Sequence, residues 1–177
     1  GSVLGGVVAQ IYAGRNDVAG LILVDGLSLD ATPEVTKRLA TYQYLDWAGR
    51  LGLLRPIGSL MADSAYPQDL RAEMKALRSR SSTLLGFSAE GALAAETAYA
   101  ELAEAEPDID ASLLIIAAGD SELPEGELFL QSLENLASRH SGSTFHVVPD
   151  ARHYVIASHP QLVAELIGEW VQSSNLR

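Results

Sequence analysis

The chain has 177 residues, a formal net charge of −11, 47% hydrophobic residues and no cysteine. That composition supports the packed core of one ordinary domain and excludes a disordered chain, disulfides and thiolate-held metals. The acidic balance argues against nucleic acid and membrane surfaces as partners, and no apolar run approaches the roughly 20 residues a membrane helix needs. No basic stretch leads into an apolar one as in a secretion signal, so a cytoplasmic setting is expected.

In chain order, residues 5–15 are predicted as a helix. Gly5, Gly6, Ala9 and Ala13 suit close packing, and Gly14 and Asn16 suit its end. Residues 21–24 (Leu-Ile-Leu-Val) form an apolar run between Gly20 and Asp25-Gly26, the pattern of a strand buried on both faces. From about Thr32 to Glu106 the texture turns helical, with Ala, Leu, Glu and Arg dominant. Pro33 opens a segment with Val35, Leu39, Tyr42, Leu45 and Trp47 at helical spacing. Further helices are predicted around 57–61, 67–77 and 89–105, punctuated by Pro56, Pro67 and Gly86. Pro107 ends this insertion. Residues 113–118 are a second buried-type strand, stopped by Gly119-Asp120. A helix over 124–138 follows, with Pro124, Glu125 and Glu127 suited to its positive start. Residues 144–148 make a third strand. Residues 160–172 make an amphipathic helix with Leu162, Val163, Leu166, Ile167 and Trp170 on one side. Alternating strands and helices imply an α/β fold with a parallel sheet of about three strands.

Three places carry residues suited to chemistry: the start Gly1-Ser2-Val3-Leu4-Gly5-Gly6, the strand end Ala118-Gly119-Asp120, and the loop Asp150-Ala151-Arg152-His153-Tyr154. Polar residues at the C-terminal edge of a parallel sheet sit where such folds place their sites. There a carboxylate and an imidazole on neighbouring strand ends are able to hold each other. Asp120 also suits a turn or helix cap, and Asp150 a turn. His140 fits a helix end, His146 a strand face and His159 a cap for the last helix, with no metal-ligand spacing among them. Tyr42, Tyr44 and Trp47 fit a core or a pocket lining.

The run Leu4-Gly5-Gly6-Val7-Val8-Ala9-Gln10-Ile11-Tyr12-Ala13, followed by Val18-Ala19-Gly20-Leu21-Ile22-Leu23-Val24-Asp25, resembles the α/β-hydrolase segment after the nucleophile elbow. The tail Val147-Val148-Pro149-Asp150-Ala151-Arg152-His153-Tyr154, with His159-Pro160-Gln161-Leu162-Val163, resembles that family's histidine loop and final helix. The resemblance covers essentially the whole chain. It implies a partial α/β-hydrolase fold: residues 1–30 and 107–177 as the C-terminal half of the core, and residues 31–106 as a helical cap. It further implies a serine hydrolase acting on a small ester or lactone through a Ser-Asp-His triad, with no cofactor or metal. His153 takes the histidine position. Asp120 takes the acid position, with Asp25 at the preceding strand end as the alternative. The elbow departs from Gly-x-Ser-x-Gly: aligned on Leu4-Gly5-Gly6, Val3 occupies the nucleophile position and Ser2 stands one residue early. Ser2 as a displaced nucleophile, Gly1-Ser2 as a tag remnant, and an inactive site all stay open. The family places about five strands before the elbow. The expected partners are therefore a missing N-terminal half or a second copy.

Overall fold

The computed structural model describes residues 4–31, 97–120 and 126–174, together with 51, 53, 68–78, 80, 83, 86 and 89. The chain divides into two compact units, Gly1–Thr32 with Ala98–Arg177, and Pro33–Thr97. In the first unit the described elements run α1 (Leu4–Arg15), β1 (Gly20–Val24), α3 (Tyr99–Ala105), a 3-10 turn (Glu106–Asp108), β2 (Ser112–Ala118), α4 (Gly126–Arg139), β3 (Ser143–Val148), α5 (Val155–Ser158) and α6 (Pro160–Ser173). In the second unit the described helix is α2 (Arg71–Arg78). The helices expected from Pro33 and around 57–61 lie outside the described residues, as do Tyr42, Tyr44 and Trp47.

The three strands pair in parallel in the order β1-β2-β3. Successive side chains of a strand point to opposite faces, and β2 shows what that does to a central strand. Leu113, Ile115 and Ala117 join Leu21, Leu23, Ala13, Leu133 and Leu136 in one apolar cluster, on the face covered by α1 and α4. Leu114, Ile116 and Ala118 join Val24, Val148, Val155, Val163 and Trp170 in a second, on the face covered by α5 and α6. Both faces of β2 are thus dry, which explains its unbroken apolar sequence.

Pro107 does not simply end the insertion. It sits in the first turn of the 3-10 element, where a missing N–H costs nothing. The short α5 between the histidine loop and the last helix is an addition to the predicted elements; four residues carry too little periodicity to show in the sequence. His159 does occupy the N-cap position of α6, but its side chain makes no capping bond.

Two close approaches fix the strand ends. A Cβ on Gly119 would lie 2.7 Å from Pro149 Cα and 2.9 Å from Val148 O. A Cβ on Gly6 would lie 3.0 Å from Gly26 Cα. The far end of α4 is fastened by charge. Arg139 meets buried Glu106 Oε1 at 2.7 Å through Nη2 and Asp30 Oδ2 at 3.0 Å through Nη1, and Asn135 donates to Asp30 Oδ2 at 3.1 Å. Partial burial pushes the Asp30 carboxyl upward, but the bonds from Arg139 and Asn135 and the guanidinium charge outweigh it and hold Asp30 below its ordinary 3.8.

Gly119→Ala is expected to lower stability by about 1–3 kcal/mol, because neighbouring backbone must move. Gly5→Ala, where a Cβ meets nothing within 4 Å, is expected to be neutral or stabilising by up to about 1 kcal/mol. Urea unfolding of the two variants distinguishes these outcomes. A carboxyl whose folded pKa is depressed contributes stability above its unfolded value and loses it as pH falls through the folded value. Asp30→Asn should therefore cost under about 1 kcal/mol at pH 7, the scale of a partly exposed ion pair. That deficit should shrink in unfolding curves taken below pH 3.8.

Candidate active site

In a parallel ladder each strand alternately donates to and accepts from its neighbour. β1 and β2 keep this register through Val24 opposite Ile116, and the Asp25 N–H still donates to Ile116 O at 2.7 Å. The next rung would run from Ala118 N–H to the Asp25 carbonyl. Instead the Asp25 backbone turns into the left-handed region (φ 49°), and its carboxylate Oδ1 accepts the Ala118 N–H at 3.3 Å. Aspartate tolerates this conformation better than most residues and replaces a backbone acceptor with its own side chain. The consequence is a buried carboxylate, 5% exposed, at the C-terminal edge of the sheet.

The opposing imidazole comes from the loop after β3. Ala151 N donates to Val148 O at 3.1 Å, closing a turn with Pro149 at its second position and Asp150 at its third. Gly119 N donates to Val148 O and Asp120 N to Ala151 O, at 2.9 and 3.1 Å, so the end of β2 pins that turn. Two residues later His153 Nδ1 lies 2.6 Å from Asp25 Oδ2. Both atoms are buried and neither makes a hydrogen bond among the described residues, so the approach is a close ion-pair contact without the alignment of a hydrogen bond. The ring also meets Phe129 of α4 edge to face at 5.6 Å between centroids, and Tyr154 at 4.9 Å. Tyr154 has φ 88°. Among the described residues, the non-glycine positions with positive φ are Asp25 and Tyr154, one in the pair and one beside it. Such conformations cost energy and persist where surrounding structure enforces them, commonly at sites of function.

This geometry has a definite chemical capacity. A carboxylate at Nδ1 holds the proton on that nitrogen and leaves Nε2 as the basic atom, and it stabilises the imidazolium once Nε2 takes a proton. Asp25 is sealed from water while the His153 side chain keeps 15% exposure. The pair therefore has a dry side and an accessible side.

Against expectation, the carboxylate beside His153 is Asp25 and not Asp120. Asp120 is exposed, its backbone N–H is committed to Ala151 O, and no hydrogen bond or ion pair joins it to His153 among the described residues. The cause is the tight crossing at Gly119, which fixes the end of β2 through backbone bonds, while the left-handed turn at Asp25 folds its carboxylate back over the sheet edge. Ser2 and Val3 lie outside the described residues. The start of α1 nevertheless belongs to this neighbourhood, because Gly6 packs on Gly26, the residue after Asp25. Gln10 reinforces that approach by donating from Nε2 to Leu27 O at 2.6 Å. Asp150 is in the turn and 3.5 Å from His159 Nε2, and His159 Nδ1 lies 2.9 Å from Ser158 Oγ. His140 directly follows α4, and His146 lies on β3. No group of three or more His, Asp or Glu with metal-binding geometry occurs among the described residues, and no described helix is long and apolar enough to cross a membrane. Phe129 carried no signal in the sequence beyond that of a core aromatic on a helix.

A family model described as the alpha/beta hydrolase family matches residues 2–166. No curated protein matches the chain. Among solved structures, a thermophilic esterase from Thermogutta terrifontis is 22% identical with a TM-score of 0.60, the match covering 98% of this chain and 64% of the esterase. MGS-M2, an alpha/beta hydrolase enzyme from a Medee basin deep-sea metagenome library, is 15% identical with a TM-score of 0.71, covering 100% and 65%. An esterase from Exiguobacterium antarcticum is 19% identical with a TM-score of 0.68, covering 98% and 65%. The chain thus spans slightly less than two thirds of the length of each of these proteins, and at such identities the likeness is one of fold. The parallel sheet, its flanking helices and the match over residues 2–166 together place the chain in the alpha/beta hydrolase family.

Proposed function

We propose that this chain carries the acid–histidine part of a serine-hydrolase site acting on a carboxylic ester or lactone. The observation that carries the reading is the 2.6 Å approach of His153 Nδ1 to buried Asp25 Oδ2 at the C-terminal edge of the sheet. Fold-level likeness to esterases raises the reading without establishing a substrate.

In this reading a serine hydroxyl attacks the ester carbonyl while His153 Nε2 takes its proton. The tetrahedral intermediate collapses, the alkoxy oxygen leaves, and His153 returns the proton to it. Water then repeats the sequence on the acyl-serine and releases the acid. Asp25 orients His153 and stabilises its charged form without taking a proton. The N–H groups of the first turn of α1 point toward its N-terminal end and are suited to the developing oxyanion. Ser2 is the candidate nucleophile in this chain. Residues 31–106 stand in the order of the chain where the family carries its cap, and substrate choice is assigned to them.

Val3 at the aligned nucleophile position favours a second reading, in which the chain is a non-catalytic half that folds by association. The outward side of α1 fits that reading, with Val8 66% and Tyr12 59% exposed. A complementary N-terminal half or a second copy would cover such a surface.

Intact-mass analysis after fluorophosphonate treatment separates the two. The hydrolase reading expects a single adduct on Ser2 that is lost in His153→Ala. Asp25→Asn should slow labelling by up to about 10⁴-fold, the scale on which a mis-set histidine tautomer acts, while Asp120→Asn leaves the rate unchanged. Absence of an adduct, together with a larger species in size-exclusion chromatography, establishes the association reading instead.

A further inference from the structure

The pairing of His153 with Asp25 requires one ring orientation. Turning the imidazole out of its plane about its last side-chain bond carries Nδ1 away from Oδ2. The carboxylate faces Nδ1, and the Tyr154 ring lies against the imidazole at 4.9 Å. On another side stands Phe129, buried in α4, with its ring tilted 71° to the imidazole at a centroid distance of 5.6 Å. Edge-to-face pairs of this kind are favoured by the opposite charges of ring edge and ring face, and they depend on angle as bulk apolar packing does not.

Phe129 is itself held in register with Asp25. Its carbonyl accepts the Ser132 hydroxyl at 2.7 Å, and the Ser132 carbonyl accepts the hydroxyl of fully buried Ser28 at 3.0 Å, three residues beyond Asp25. One turn of α4 therefore touches the imidazole through an aromatic ring and the loop of its carboxylate through hydrogen bonds.

We infer that Phe129 is a positioning residue for His153: its ring holds the imidazole in the plane in which Nδ1 faces Asp25. The inference rests on the pairing that underlies the proposed hydrolase site, but it concerns the histidine alone and needs no turnover to be tested. Loss of the ring should lower the population of the paired orientation by up to about tenfold, the scale of one aromatic pair.

The experiment observes the His153 Nδ1 proton by NMR on the intact chain labelled with ¹⁵N-histidine. A proton shared with a carboxylate at this distance resonates far downfield, and Asp25→Asn assigns it by removing it. In Phe129→Leu, which keeps an apolar side chain in the helix, the resonance is expected to vanish or broaden while the circular dichroism of the fold is retained. Phe129→Tyr is expected to keep it. Should the leucine variant fail to fold, Phe129→Met takes its place with the same expectation. An undiminished resonance in the folded leucine or methionine variant overturns the role of Phe129 and leaves the pair intact. Loss in the tyrosine variant as well also overturns it, since general packing would then be the cause. A wild-type chain without the resonance overturns the pairing, and the inference with it.

Discussion

The site depends on a rung that the sheet does not complete with backbone. Where the Asp25 carbonyl would ordinarily receive the Ala118 N–H, the chain turns left-handed and the carboxylate receives it instead. One oxygen thereby stands in for the ladder and the other is left facing His153. A buried carboxylate is costly unless it finds donors or an opposite charge, and here the sheet supplies a donor to one oxygen while the imidazole lies in ion-pair contact with the other. The left-handed turn at Asp25 is what brings its carboxylate to the imidazole.

The elements around this rung hold the two loops at a fixed separation. The end of β2 anchors the histidine turn through Gly119 and Asp120 backbone bonds. On the acid side, α4 grips the loop after β1 at three heights, through Ser132 to Ser28, Asn135 to Asp30 and Arg139 to Asp30. Gly6 and Gln10 bring the start of α1 against the same loop. The segment just past Asp25 is consequently fastened from α1 and from α4, and a pair held within a few tenths of an ångström requires such fastening.

Much of the core was legible because its signal is redundant. The runs 21–24 and 113–118 are apolar without alternation, which a strand buried on both faces requires, and each appears within a residue of its predicted bounds. His153 stood out because the residues around it keep the pattern of a histidine loop after a strand. The choice between Asp120 and Asp25 was of another kind. Both follow a strand at the same sheet edge, and both neighbour a glycine. What separates them is the sign of φ at Asp25 and the crossing of Gly119 on Pro149, and neither is a property of local sequence. Phe129 was hidden for a similar reason. A buried aromatic on an amphipathic helix looks the same whether it faces aliphatic core or an imidazole.

The most direct test of this account is the tautomer of His153, read from its imidazole ¹⁵N shifts at a pH where the ring is neutral, in the wild-type chain and in Asp25→Asn and Asp120→Asn. A carboxylate at Nδ1 predicts the Nδ1–H form in the wild type and in Asp120→Asn, and its loss in Asp25→Asn. Retention of that form in Asp25→Asn, with loss in Asp120→Asn, would contradict the account and return the acid's role to the end of β2.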